Sequence, residues 1–170
     1  MKGYIHLYTG NGKGKTTAAF GLALRAVGAG KRVFIAQFVK GLHYSELEAV
    51  KRFPEIVLKQ YCLDCFIINE PTQDDIDAAQ KGLIEASASI IQNKADMVIL
   101  DEICIALHYH LIAEEELLKL LSRKPAEMEI ILTGRYASPG LYDIADLITE
   151  MKEIKHYYQN GTEARKGIEF

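Results

Sequence analysis

The stretch that decides the fold is Thr-Gly-Asn-Gly-Lys-Gly-Lys-Thr-Thr at residues 9–17. An apolar run from Tyr4 to Tyr8 precedes it, and a helical pattern follows it. The apolar members of that pattern recur every three or four residues and so share one helix face: Ala19, Leu22, Ala23, Ala26 and Val27. A glycine-rich turn between a strand and a helix is typical of a loop that binds phosphate groups.

The residue types in this loop suit a nucleoside triphosphate. Backbone N–H groups of residues 11–15 would converge on phosphate oxygens, and the dipole of the following helix favours an anion there. Lys15 adds a positive charge, and Thr16 offers a hydroxyl group to Mg²⁺. We therefore expect the chain to bind a nucleotide with Mg²⁺.

The loop departs from the common phosphate-loop pattern at one position. In Gly-x-x-x-x-Gly-Lys-Thr the first glycine would be residue 9, which is Thr9 here, and a glycine comes one residue later at Gly10. We therefore expect the triphosphate to lie differently from its pose in a standard NTPase.

Length and composition indicate one soluble domain. The chain has 170 residues, of which 49% are apolar, and a net charge of −3. This favours a single domain over residues 1–170, and the absence of a basic run argues against nucleic-acid binding. The N-terminus has no apolar signal core and no run approaches transmembrane length, so we expect a cytoplasmic protein that does not bind a membrane.

The three cysteines form an odd set: Cys62, Cys65 and Cys104. In a chain without a signal sequence this favours reduced thiols. Cys62 and Cys65 form a lone C-x-x-C, for which metal or redox use and two ordinary thiols both remain open.

Short apolar runs alternate with helical patterns along the chain. This order is typical of an α/β fold with a mainly parallel sheet and helices on both faces. The expected strands are short and apolar, as in strands covered on both sides: Lys2–Tyr8, Arg32–Phe38, Ile56–Gln60, Asp96–Leu100, Glu129–Leu132 and Leu147–Met151. The clearest expected helices cover residues 73–93, with Thr72 as N-cap, residues 114–122, and a third that starts at Ser138-Pro139.

Acidic residues follow the fourth predicted strand. Met97 to Leu100 is apolar and ends in Asp101-Glu102, the Walker B pattern, in which a carboxylate holds Mg²⁺ directly or through water. Glu102 is then either a general base or a second group around the metal. Because parallel strands bring their carboxyl ends to one edge, Arg135, Gln37 and Lys40 are expected near these acids.

Motifs spread over nearly the whole chain together resemble the P-loop family of ATP:corrinoid adenosyltransferases. They are Thr9–Gly21, Ala26–Gly28, Gln37–Gly41, Ile99–Glu102, Thr133–Arg135, Ala145–Asp146 and Gly167–Phe170. The resemblance implies a RecA-like sheet and a cytoplasmic homodimer. It also implies transfer of the 5′-deoxyadenosyl group of ATP to a Co(I) corrinoid with release of triphosphate, and an electron-donating flavoprotein as a partner.

The same resemblance assigns residues to the site. It implies that Lys15, Glu102 and Arg135 serve catalysis and that Thr16 and Glu102 serve Mg²⁺. The residues implied to bind ATP or the corrinoid are Gly10, Asn11, Gly12, Lys13, Gly14, Lys15, Thr16, Thr17, Lys40 and Phe66.

The chain departs from the family in one loop. Where the family often has Gly-Phe-Thr-Trp, in a loop that helps displace the lower corrinoid ligand, this chain reads Cys65-Phe66-Ile67-Ile68. Phe66 retains an aromatic ring, whereas Ile68 has none to stack on the corrin.

Two other classes of function remain open on the residues themselves. A RecA-like P-loop ATPase or small kinase would use Glu102 to activate water or would release phosphate or diphosphate. A nucleotide-dependent binding module would leave ATP intact. The displaced loop glycine and the long apolar loop favour the adenosyltransferase.

Overall fold

The computed structural model describes residues 2–41, 44–62 and 70–170. Its sheet has six parallel strands in the order β3-β2-β4-β5-β1-β6. The strands are β1 (Ile5–Thr9), β2 (Val33–Phe38), β3 (Ile56–Tyr61), β4 (Met97–Asp101), β5 (Glu129–Thr133) and β6 (Leu147–Glu150). The expected parallel α/β sheet is confirmed.

Helices connect the strands, as parallel pairing requires. They are α1 (Lys15–Gly28), α2 (Ser45–Val50), α3 (Gln73–Ile91), α4 (Ile103–His108), α5 (Glu114–Leu121) and α6 (Pro139–Ile144). A 3₁₀ turn covers Tyr157–Asn160. Thr72 caps α3 as expected, because its hydroxyl accepts from Asp75 N–H and the Asp75 carboxylate accepts from Thr72 N–H.

Two buried clusters lie on opposite faces of the sheet. Successive residues of a strand point to opposite faces, so Val98 and Leu100 of β4 join one cluster while Met97 and Ile99 join the other. Ala19 and Ala23 of α1 pack in the second cluster. This confirms helices on both faces, an arrangement consistent with a RecA-like P-loop domain.

The edge strands differ from the expectation that strands are covered on both sides. All residues of β6 are exposed, and Leu147 and Ile148 each retain 42% of their accessible surface. In β3, partly buried residues alternate with exposed ones. An apolar run does not distinguish an edge strand from a central one, which is why the expectation was wrong here.

The topology gathers the sequence motifs at one edge. β5 lies between β1 and β4, and β2 pairs with the other side of β4. The carboxyl ends of these four strands therefore lie side by side, as expected for a site in an open parallel sheet. Among the described residues, no helix combines the length and apolarity needed to cross a membrane.

Candidate functional site: a phosphate-binding loop and a buried carboxylate

The glycine-rich loop joins β1 to α1 and is closed by its own lysine. Lys15, the first residue of α1, is 6% exposed, and its ammonium donates to the carbonyl groups of Gly10 and Gly12 at 2.8 Å each. Burial lowers the Lys15 pKa, which the nearby Glu102 charge partly offsets. The ammonium is thus held at the helix N-terminus, where an anionic ligand would bind.

Glycine is required where this loop passes the end of β6. Gly10 and Gly14 have φ of 98° and 115°, in the region that side chains disfavour. A Cβ on Gly12 would lie 2.7 Å from the carbonyl oxygen of Met151, to which the Gly12 N–H donates at 2.6 Å. The Gly12 amide therefore binds the protein here, although sequence analysis expected it to face phosphate.

Asp101 is the centre of the site. It ends β4, is fully buried, and accepts four hydrogen bonds. Oδ1 accepts from the hydroxyls of Thr16 (2.9 Å) and Thr133 (2.7 Å), and Oδ2 accepts from Gln37 Nε2 (3.1 Å) and Lys40 Nζ (2.8 Å). One carboxylate therefore ties the ends of β2, β4 and β5 to the start of α1.

Lys40 belongs to this network, as its predicted site role requires. Its side chain is 12% exposed and also donates to Thr16 Oγ1 at 2.6 Å. Burial, the largest single effect, lowers the Lys40 pKa, but the charge and hydrogen bond of Asp101 and the charge of Glu102 together outweigh it, so the net shift is upward. Lys40 is thus a cation held next to the phosphate-binding loop.

Glu102 points into the cavity because the chain turns sharply after β4. Its φ is 59°, the left-handed region, and its N–H donates to Thr133 Oγ1 at 2.9 Å. Burial and then the neighbouring Asp101 charge raise the Glu102 pKa. Among the described residues, its carboxylate accepts no hydrogen bond, which leaves its oxygens available to a cation.

The oxygen atoms of Thr16 and Glu102 are suitable ligands for Mg²⁺. Thr16 donates its hydroxyl proton to Asp101 and accepts from Lys40, so one lone pair remains. Mg²⁺ prefers such oxygen ligands and usually completes its shell with water and phosphate oxygens. In residues 2–41, 44–62 and 70–170, no group of three or more His, Cys, Asp or Glu could hold an ion by itself.

The loop and these charges line one cavity of about 970 Å³. Most predicted site residues line it: Asn11, Gly12, Lys13, Gly14, Lys15, Thr16, Thr17, Lys40, Glu102 and Arg135. The lining also includes the apolar residues Phe20, Leu24, Val50, Phe53 and Ile56. Gly10 contributes through its carbonyl oxygen, which accepts a hydrogen bond from Lys15. Phe66 lies outside the described residues.

Several residues that contribute to the site were not identified from the sequence. Asp101 was seen in the Walker B pattern but was not placed among the site residues, and only the structure shows that it is the better connected acid. Thr133 was noted only as part of a motif. Residues 167–170, which also line the cavity, had one signal, their place among the motifs that carry the family resemblance.

Comparisons with known proteins agree with this geometry. The family model described as ATP:corrinoid adenosyltransferase BtuR/CobO/CobP matches residues 1–170. A protein named corrinoid adenosyltransferase from Pseudomonas aeruginosa is 36% identical over 99% of this chain and 84% of its own length. Proteins of that name from a Sinorhizobium species and Escherichia coli K12 are 39% and 35% identical, over 99% of this chain and 81% and 86% of their lengths. The chain therefore belongs to the P-loop family of ATP:corrinoid adenosyltransferases.

Proposed function

We propose that the protein transfers the 5′-deoxyadenosyl group of ATP to the cobalt of a reduced Co(I) corrinoid and releases triphosphate. The observation that carries the proposal is the family match over residues 1–170. The cavity supports it independently, because it combines a phosphate-binding loop with an apolar wall in one space of about 970 Å³.

The proposed reaction is a displacement at the ribose C5′. The Co(I) electron pair forms the cobalt–carbon bond, and the C5′–O bond breaks so that its electrons leave with the triphosphate. The nucleophile carries no proton, so no general base is needed. The protein contributes position and positive charge, and the cobalt supplies the reactivity.

The loop would hold the triphosphate as a leaving group. Lys15 and Arg135 line the same part of the cavity and would offset the charge that develops on the departing oxygen. Thr16 and Glu102 would hold Mg²⁺, which when bound adds charge at the leaving phosphates. Lys40 would neutralise the negative charge of Asp101, which lies next to Thr16.

The raised pKa of Glu102 favours one alternative, an ATPase in which this carboxylate would activate water. That reading leaves the apolar wall of Phe20, Leu24 and Phe53 without a substrate. A corrin ring needs such a wall, so the adenosyltransferase fits the whole cavity better.

The remaining assignments rest on the family resemblance. They are a homodimer, a cytoplasmic location, an electron-donating flavoprotein, and a corrinoid-facing role for the loop that contains Phe66. That loop would exclude the lower ligand of cobalt and so ease reduction of Co(II) to Co(I).

A spectroscopic assay tests the proposed function. Co(I) corrinoid mixed with enzyme and Mg-ATP should convert to a light-sensitive adenosylcorrinoid of the expected mass, and omission of ATP should prevent this. Phe66→Ala should slow the reaction strongly from Co(II) and less from preformed Co(I). No product from Co(I) with the unaltered protein would reject the function, and equal losses from both states would reject only the loop assignment.

A further inference from the structure

Residues 165–170 fold into a turn beside the cavity that the phosphate-binding loop lines, and we call them the 165–170 strap. Within it, the N–H groups of Ile168 and Glu169 donate to the Arg165 carbonyl at 3.1 and 2.9 Å, and Gly167 N–H donates to the Phe170 carbonyl at 2.6 Å. Gly167 to Phe170 line the cavity directly. The strap is therefore a wall of the site.

One carboxylate fixes the strap to the phosphate-binding loop. Lys13 Nζ donates to Glu169 Oε1 at 2.9 Å and to the Tyr157 hydroxyl at 3.2 Å, and that hydroxyl donates to the same Glu169 oxygen. Arg165 contacts the other oxygen through its backbone N–H (2.8 Å) and Nε (3.3 Å). The Tyr157 hydrogen bond, and then Arg165, hold the pKa of Glu169 well below its usual range.

The other end of the strap contacts the start of α2. Ser45, the first residue of α2, donates its hydroxyl to the Phe170 carbonyl at 3.0 Å. Ser45 and Lys13 both line the cavity. The strap thus connects the phosphate-binding loop to the start of α2, two parts of the cavity lining.

We propose that Glu169 is a positioning residue of the nucleotide site, which holds the strap across the cavity and fixes Lys13 beside the triphosphate. The inference rests on the ATP binding proposed above. An ammonium group has three N–H donors, and Glu169 and Tyr157 use two, so one remains for a phosphate oxygen. The lysine then loses its rotamer freedom before ATP binds, which lowers the entropic cost of binding.

The two cations that contact Glu169 outweigh its negative charge at the nucleotide site. Lys13 and Arg165 both contact the carboxylate, so the group of three side chains carries a net positive charge. Removal of the Glu169 charge would make this group more positive but would release both Lys13 and the strap, and the proposal requires that the loss of positioning exceeds the gain in charge.

Kinetics of a double-mutant cycle test the positioning role. Glu169→Gln should raise KM for ATP about threefold to tenfold, as expected for a charge-assisted contact at a partly exposed site, and leave kcat within about twofold. Lys13→Met should raise KM at least as much, and Glu169→Gln should then raise KM by a smaller factor than in the unaltered protein, because only its contacts within the strap remain to be lost. Glu163→Gln, which changes an exposed carboxylate nearby, is the matched control and should behave like the unaltered protein.

Proteolysis tests the strap without any corrinoid. Trypsin cleaves after Arg165 and Lys166, and mass spectrometry would report loss of the residues beyond. Cleavage should be several-fold faster in Glu169→Gln than in Glu163→Gln, and Mg-ATP alone should protect the unaltered protein. Additive effects in the cycle, or equal cleavage of the two variants, would overturn the inference. Failure of the unaltered protein to bind Mg-ATP would instead overturn the proposed function.

Discussion

The buried carboxylate Asp101 offers the sharpest test of the energetics of the site. In Asp101→Asn, the amide oxygen can still accept from Thr16 and Thr133, which share Oδ1. The amide nitrogen would replace Oδ2 and face Lys40 Nζ and Gln37 Nε2, which are both donors. The substitution therefore removes the ion pair and sets donor against donor.

The size of this effect follows from burial. Asp101 is fully buried and the Lys40 side chain is 12% exposed, so the cation has little access to water after its partner is lost. Breaking such a buried pair costs about 3 kcal/mol. For a chain of this size, that corresponds to a fall in Tm of about 6 to 12 °C.

The matched control lies at the other end of the same strand. Asp96 directly precedes β4 and pairs with Arg32, but their side chains remain 37% and 54% exposed. Asp96→Asn should lower Tm by less than about 3 °C, because an exposed ion pair contributes little. Thermal unfolding of both variants, followed by circular dichroism, makes the comparison. Equal shifts, or a loss below about 1 kcal/mol for Asp101→Asn, would refute the reasoning.

Three further substitutions probe the loop and the cavity. Lys15→Ala should reduce the transition-state stabilisation measured by kcat/KM for ATP by on the order of 3 kcal/mol or more, because the lysine charge contacts the triphosphate. An unchanged kcat/KM would reject the loop assignment. Glu102→Gln should weaken Mg²⁺-dependent turnover and yet raise Tm at pH 7, because a raised carboxyl pKa stabilises the fold only at low pH. That gain in Tm should vanish below about pH 4.5, the ordinary pKa of the group. The same gain in Tm at every pH would contradict a raised Glu102 pKa. Gly12→Ala should displace the loop, since the new Cβ meets Met151 O at 2.7 Å, and reduce ATP affinity, whereas Gly28→Ala, with no atom within 4 Å, should not.

The order of helices and strands along the chain could be predicted from the sequence, because it depends on short local patterns. The loop between β1 and α1 and the cap at Thr72 depend on short patterns, and both are found as expected. The exposure of Leu147 and Ile148 was not predictable, because it depends on which strand lies at the edge of the sheet. Strand order is a long-range property that local patterns do not encode.

The same distinction holds for the candidate site. Lys15, Glu102 and Arg135 stand in recognisable motifs, and all three line one cavity in the structure. The sequence alone did not show that Asp101 accepts hydrogen bonds from four donors, because the turn at Glu102 determines which of the two acids is buried against the sheet. The contact of Glu169 with Lys13 joins residues 156 positions apart and depends on how the chain returns to the loop.

The central claim concerns the bond that breaks in ATP, and the inorganic product reports it directly. The enzyme would be incubated with Mg-ATP, with and without Co(I) corrinoid, and the products followed by ³¹P NMR. The account predicts intact triphosphate, formed only with the corrinoid and in equal amount to adenosylcorrinoid. Release of phosphate or diphosphate at the same rate without corrinoid would contradict it and identify the protein as a P-loop ATPase or kinase.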